Sequence, residues 1–176
     1  MSQVDVHKAE LLSPFIGQDF LTWLWFCTET GRGMWTLASG QSVLLSMTQR
    51  VAVQGGEGET RDTATSVGPH SRLREARLGL RTGKKVHQAR VQLEMDENSW
   101  QVQLRAEDLA LSGLRTPKVE LKVEEGEDPD ARFLEKMYLI ETCLDILDLV
   151  FSSFVHLRLG PNWPGEAKAV QEWIAS

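Results

Sequence analysis

The sequence predicts an α+β protein, with a mainly antiparallel sheet and helices packed against one face or one end of it. Two observations support this class. From Ala89 to Leu104 apolar residues alternate with polar ones, with a turn at residues 96–99, which is typical of two paired strands. Elsewhere apolar residues recur at spacings of three and four, which is the period of a helix. The expected helices are residues 18–28, 71–82 and 129–157.

The length and composition fit one folded domain of ordinary size, or two small lobes that share a core. The chain has 176 residues, of which 41% are hydrophobic and 25% charged, so it can bury a sizeable core. Residues 1–15 contain no basic segment followed by an apolar run, and we expect no signal peptide. The apolar stretch 133–154 carries Glu141, Asp145 and Asp148, so we expect no membrane span. The expected location is cytoplasmic.

The first predicted helix is dense in aromatic residues. A helix that is apolar on two sides is sandwiched in a core or at a subunit contact, and we expect core packing here. The apolar residues fall on two faces, with Phe20, Trp23 and Leu24 on one and Leu21 and Trp25 on the other.

Three strands are predicted next, over residues 35–37, 43–53 and 60–67. The third is polar and rich in Thr, which is typical of an exposed strand or an edge. The second alternates and has one apolar parity, made of Val43, Leu45, Met47, Val51 and Val53.

A basic helix follows at residues 71–82. Leu73, Ala76 and Leu80 recur at helical spacing, and Ser71 is a suitable N-cap. At 100° per residue, its three arginines fall within about 60° of one another, beside the apolar face. They are Arg74, Arg77 and Arg81.

The positive charge continues past this helix into a corner and a strand. Lys84 and Lys85 form the corner, and Arg90 lies on the strand that follows. Between positions 61 and 90 there are eight basic and two acidic residues, a local charge of +6 on a chain of net charge −6. His87 has the parity of the buried residues of that strand, so we expect it to be buried.

The C-terminal part is helical. A short strand at residues 119–123 and an acidic linker at 124–128 separate a sheet domain, residues 1–123, from a helical segment, residues 129–176, which packs on the same core. Asp128 is predicted to cap the long helix. That helix has a strict heptad seam of Phe133, Met137, Ile140, Leu144, Leu147, Phe151 and Phe154. Met137, Leu144 and Phe151 are the expected oligomer interface, and a last helix begins near Pro164.

The order and spacing of one set of residues resembles a known family. These are Glu75, Ala76, Leu80, residues 82–84, Val86, Leu93, Trp100, Val102, Leu104, Leu114 and Pro117. They are similar to the C-terminal half of the RdgC family of recombination-associated bacterial proteins, most clearly over residues 71–117. That family binds duplex DNA without sequence preference, as a dimer that closes into a ring. The resemblance implies a nucleoid-associated DNA-binding protein and leaves any recombination partner unknown.

Two functions are therefore weighed. The first is non-specific binding of the duplex DNA backbone through Arg74, Arg77, Arg81, Lys84, Lys85 and Arg90, driven by counterion release. The alternative is a homo-oligomeric interaction or scaffold module, a homodimer or higher oligomer that keeps the fold without DNA binding. The two differ in whether the basic stripe is unpaired or is neutralised by acidic residues elsewhere in the chain.

No pattern in the sequence indicates catalysis. The four histidines and two cysteines have no metal-ligand spacing, and no nucleophile, phosphate-loop or dinucleotide motif occurs. We expect no enzymatic activity, no metal and no cofactor. Cys27 and Cys143 both lie in apolar helical stretches, so we expect reduced, buried thiols rather than a disulfide.

Overall fold

A computed structural model describes residues 16–47, 50–55, 62–67, 73–119 and 128–176 of the chain. The predicted α+β class is confirmed. Within these residues there are four helices and seven strands, and every strand pair is antiparallel. In chain order they are α1 (Ile16–Glu29), β1 (Met34–Thr36), β2 (Ser42–Ser46), β3 (Arg50–Gly55), β4 (Asp62–Val67), α2 (Arg74–Arg81), β5 (Lys85–Met95), β6 (Asn98–Arg105), β7 (Leu111–Arg115), α3 (Pro129–Leu159) and α4 (Trp163–Ala175).

The long strand β5 is the centre of the sheet. β6 pairs along one edge of it, and β7 pairs with the far edge of β6. On the other edge β2 and β3 lie end to end, each antiparallel to β5. β1 then flanks β2, and β4 flanks β3.

The predicted strand over residues 43–53 is divided into β2 and β3. Ser46 pairs with Gln92, and Val51 pairs with Ala89. From Ser46 to Val51 the chain advances five residues, whereas the facing part of β5 advances only three. The stretch from Ser46 to Val51 is therefore two residues longer than the part of β5 that it faces. Because the number of extra residues is even, the parity survives, and all five alternating apolar residues of this stretch are buried.

A bulge in β5 has the opposite effect on parity. Ala52 pairs with Gln88, but the next residue, Val53, pairs with Val86. His87 is therefore an extra residue in β5 that has no partner in β3. A single extra residue shifts the alternation by one. The prediction that His87 is buried is therefore wrong: it is half-buried, while Val86 and Ala89 are both buried in the core.

All described helices lie on one side of the sheet, where α1, α2 and α3 contact it and α4 packs on the other helices. The Thr22 hydroxyl of α1 accepts a hydrogen bond from the backbone N–H of Val86 at 3.4 Å. Gly79 of α2 lies so close to Val53 that an added Cβ would be 2.5 Å from its methyl group. The buried indole of Trp100 in β6 donates to the Leu139 carbonyl of α3 at 2.8 Å. Trp173 of α4 packs edge-on against Trp25, with centroids 5.4 Å apart.

The core is one continuous cluster of the four helices and this sheet face. It contains the aromatic residues of α1, and residues of α3 and α4 join it. The expected core packing of residues 18–28 agrees with this, since Leu21, Leu24 and Trp25 have no exposed surface. At the start of α1, Gly17 presses against the end of β6. A Cβ at Gly17 would lie 1.9 Å from the carbonyl oxygen of Ala106.

The helix boundaries follow local capping. The Asp128 carboxylate accepts from the backbone N–H of Asp130 at 3.0 Å, so the predicted cap of α3 is confirmed. The predicted cap of the basic helix, Ser71, lies outside the described residues. In the first turn of α2, the backbone N–H of Ala76 donates a hydrogen bond to the hydroxyl of Ser66 in β4 at 2.9 Å. Strand β4 therefore supplies an acceptor that α2 lacks at this end.

Two further predictions concern the segment after β6. The strand expected at 119–123 and the linker at 124–128 lie mostly outside the described residues, and Val119 itself is in no regular element. The structure has β7 at Leu111–Arg115, where no strand was predicted. None of the described helices is long and apolar enough to cross a membrane.

Candidate nucleic-acid interface

The arginines of α2 are directed at the C-terminal end of α4. Arg77 donates to the Trp173 carbonyl and to the Ser176 hydroxyl, both at 3.0 Å, and forms an ion pair of 3.1 Å with Glu29. The Arg81 Nε donates to the Ile174 carbonyl at 3.1 Å. The last carbonyls of a helix lack partners inside it and carry partial negative charge. Arg77 and Arg81 therefore cap α4 from outside.

The two lysines of the corner have carboxylate partners. Lys84 lies 2.5 Å from Asp62, and this hydrogen bond, with the attraction between the charges, lowers the pKa of Asp62. Lys85 lies 2.6 Å from Asp19. These two pairs neutralise most of the charge that the sequence places at the corner.

Arg90 lies on the other face of the sheet. Its neighbours Ala89 and Val91 are buried in the core, so Arg90, Gln88 and Gln92 point away from the helices. Cross-strand partners share a face. Gln92 is opposite Gln101, which is opposite Arg115, and Arg90 is opposite Gln103.

Arg50 also belongs to this face. It precedes Val51, which is buried and paired with Ala89, so Arg50 and Arg90 both point away from the helices. We name this surface the open sheet face. Its polar members include Arg50, Gln88, Arg90, Gln92, Gln101, Gln103 and Arg115.

These three arginines of the open sheet face have no carboxylate partner in the described part of the chain, in contrast to Arg77, Lys84 and Lys85. The Arg50 Nε is also shielded from solvent without a hydrogen-bond acceptor. The described strands place one acid on this face, Glu94, which accepts a hydrogen bond from Gln92 at 2.6 Å. Arg105 is opposite Gln88 and so lies on the same face, but it is paired with Asp108 and holds the pKa of that carboxyl at about 2.

No family model matches the chain, and no curated protein or solved structure matches it. The resemblance to the RdgC family stays a prediction.

The structure separates the six residues predicted to contact DNA. Arg77, Arg81, Lys84 and Lys85 each have an internal partner, and the side chain of Arg74 lies outside what the structure describes. Arg90 alone belongs to the open sheet face. Arg50 and Arg115 were not singled out from the sequence. Arg50 stands on the polar parity of a predicted strand, which is a signal that identifies such residues, whereas Arg115 lies on β7, which was not predicted.

A second surface is the N-terminal half of α3. Phe133, Leu134 and Tyr138 are each 63% exposed, and Met137 and Leu144 are 39% and 43% exposed. Large apolar side chains that are contiguous and exposed mark interaction surfaces. We name these five residues the α3 apolar surface.

The predicted oligomer interface of Met137, Leu144 and Phe151 lies only partly on this surface. Phe151 is half-buried, and its ring stands edge-on to Phe20 with centroids 5.1 Å apart. Phe151 thus packs inside the chain, whereas Met137 and Leu144 are available to a partner. Their role in an interface stays a prediction.

The described residues offer no metal site and no activated thiol. No group of three or more His, Cys, Asp or Glu among them is placed to hold a metal ion. Both cysteines are free and buried. Burial raises the pKa of the Cys27 thiol to about 12 and that of Cys143 to about 11, so neither is a thiolate at neutral pH.

Proposed function

We propose that this chain binds the backbone of duplex DNA without sequence preference, through the open sheet face. The observation that carries the proposal is that Arg50, Arg90 and Arg115 share one face and have no carboxylate partner among the described residues. Guanidinium groups without partners are suited to phosphate, because binding an anion then breaks no internal ion pair.

The glutamines of the face fit the same ligand. Gln88, Gln101 and Gln103 are half-buried, and their amides can donate to phosphate oxygens beside the arginines. Contacts of this kind position a protein on DNA without reading its bases. The aromatic residues of the described chain lie on the core side of the sheet, so the open sheet face has none on which unpaired bases would stack, which favours a duplex over a single strand.

A salt titration tests this proposal. Three phosphate contacts predict that log K falls with log salt at a slope of about −2.7. We expect Arg90→Gln and Arg115→Gln each to reduce the slope by about 0.9, equally on two unrelated duplex sequences. Arg81→Gln is the matched control, since its side chain lies on α2 and not on the open sheet face.

Two results would count against the proposal. The first is an absence of binding to duplex DNA at about 50 mM salt, where such contacts are strong. The second is a slope that changes in Arg81→Gln and not in Arg90→Gln. That result would indicate that DNA contacts the basic helix, as the charge pattern of the sequence alone predicts.

The α3 apolar surface supports a second function, self-association. We propose that two copies pair through it in antiparallel orientation. An antiparallel pair centred between Ile140 and Glu141 places Met137 of each copy opposite Leu144 of the other. The same pairing places Lys136 opposite Asp145, so the contact joins apolar residues in the seam and opposite charges beside it.

Self-association would also affect DNA binding. A dimer carries twice the number of unpartnered arginines, so its salt slope becomes about −5.4 if both faces engage one duplex. We expect light scattering to give a dimer at tens of micromolar. Met137→Glu should give a monomer, because it buries a charge at the centre of the contact.

Leu78→Glu is the control for this experiment. Leu78 is 61% exposed, but it lies on α2, away from the α3 apolar surface. If the wild-type chain is monomeric, or if both variants dissociate it equally, the pairing through α3 is refuted.

A further inference from the structure

A cleft lies on the helical side of the molecule, away from the open sheet face. Its volume is about 270 Å³, and it is bounded by α1, the corner after α2, and α4. The indole rings of Trp23 and Trp163 and the side chains of Leu80, Val170 and Ile174 form apolar walls. A volume of this size fits a small organic molecule.

The charged groups of the cleft leave an excess of positive charge. Asp19 lines it and faces two cations, Lys85 at 2.6 Å and Arg158 at 3.7 Å. Lys84 lines it as well, and its partner Asp62 is mostly exposed on the outside. The Asp19 carboxylate therefore faces two cations, and an anion that enters the cleft can form an ion pair with one of them.

Arg158 does not line the cleft but lies beside two residues that do, Asp19 and Trp163. Its Nε is shielded from solvent and has no hydrogen-bond acceptor, since Asp19 is too distant for a hydrogen bond. Its guanidinium lies over the Trp163 ring, 4.7 Å from the centroid, which holds it against one wall of the cleft. Arg158 can remain the cation that faces Asp19 when an anion in the cleft engages Lys85.

We propose that this cleft binds a small carboxylate with an apolar body, such as an arylacetate or a branched-chain acid. The body would lie between the two indoles, and the carboxylate would accept from Lys85 while Asp19 keeps Arg158 as its cation. A single negative charge fits best, because most of the wall is apolar and burying a second charge would be costly. This assignment does not depend on DNA binding.

Calorimetry with phenylacetate tests the assignment, with phenylacetamide as a neutral ligand of the same shape. We expect phenylacetate to bind with a Kd below about 1 mM. The amide should bind at least about tenfold more weakly, because it forms no charge-assisted hydrogen bond. Changes in Trp fluorescence on binding would report contact with the two indoles.

Three variants locate the site. Lys85→Gln should weaken phenylacetate binding about tenfold, whereas Lys168→Gln should not, because Lys168 is exposed on α4 outside the cleft. Ala167→Leu should fill the cleft and abolish binding while the protein stays folded. If phenylacetate fails to bind at about 10 mM, or binds no better than the amide, the assignment is wrong. Equal binding by wild type and Ala167→Leu would also overturn it.

Discussion

The guanidinium of Arg77 lies over the indole ring of Trp173, 5.0 Å from the ring centroid. The same side chain donates to the Trp173 carbonyl and is paired with Glu29. One residue of α2 thus joins the ends of α1 and α4. The positive charge of Arg77 is already neutralised inside the chain, by a helix C-terminus and by a carboxylate, without any external ligand.

Replacing Arg77 should destabilise the protein. The helical wheel places Arg77 beside the apolar stripe and not on it, but in the structure its side chain contacts both Glu29 and the end of α4. We expect urea denaturation to give a loss of about 1–3 kcal/mol, since Glu29 and the end of α4 lose a charged partner. Arg81→Gln, with one hydrogen bond to lose, should cost less than about 1 kcal/mol. Equal stability of wild type and Arg77→Gln would contradict this account.

Gly17 should not tolerate a side chain. In Gly17→Ala the new Cβ would overlap the Ala106 carbonyl oxygen, so α1 must move away from β6, and we expect a loss of about 2 kcal/mol or more. Gly165→Ala is the control. A Cβ there meets nothing within 4 Å, and Ala is the better helix former, so α4 should gain about 0.5–1 kcal/mol. Thermal unfolding of both variants measures the contrast.

The buried thiols should be unreactive in the native state. Both cysteines are inaccessible, so an aromatic disulfide reagent at neutral pH should modify neither until the protein is unfolded in urea. Mass spectrometry of protein purified without reductant should show two free thiols. Rapid labelling of the folded protein, or an intramolecular disulfide, would show that the helical layer is not packed as described.

Alkaline pH should destabilise the protein through the same thiols. Burial raises the pKa of Cys27 from 9.0 to about 12. Above pH 9 the unfolded chain loses this proton and the folded chain keeps it, so the free energy of unfolding falls as pH rises from 9 towards 12. At lower pH both states are protonated and the thiol has no effect. Cys27→Ala should lose less stability than wild type between pH 8 and about 10.5, and a parallel loss in both would reject the assignment.

Most helices and strands of this fold follow from local sequence patterns, and these elements were predictable. The alternation of Trp100, Val102 and Leu104 identified β6, and the Asp128–Pro129 cap and the heptad seam identified α3. The break between β2 and β3 and the bulge at His87 were not predictable, because each depends on how two distant strands pair. β7 was missed because Ser112 and Gly113 leave its five residues without a clear alternation.

The candidate site was harder to predict than the fold, for a physical reason. A helical wheel locates Arg77 and Arg81 on one stripe, but it says nothing of acceptors 48 and 93 residues away in the chain. Charge density along a sequence measures how many cations a segment carries. Whether these cations are available to a ligand depends on the groups that contact them in the folded chain. By that criterion Arg50 and Arg115 are more available than Arg77 and Arg81.

The position of α4 has a consequence for local opening of the native protein. Its main contacts are with α1, α2 and α3, through Trp25, Arg77 and Phe154, and strand pairing does not depend on it. It can therefore detach as a sub-global unit while the seven-stranded ladder stays formed. Amide protons of α4 should exchange with solvent before those of β5, and the cleft between α1 and α4 would exist only while that unit is docked.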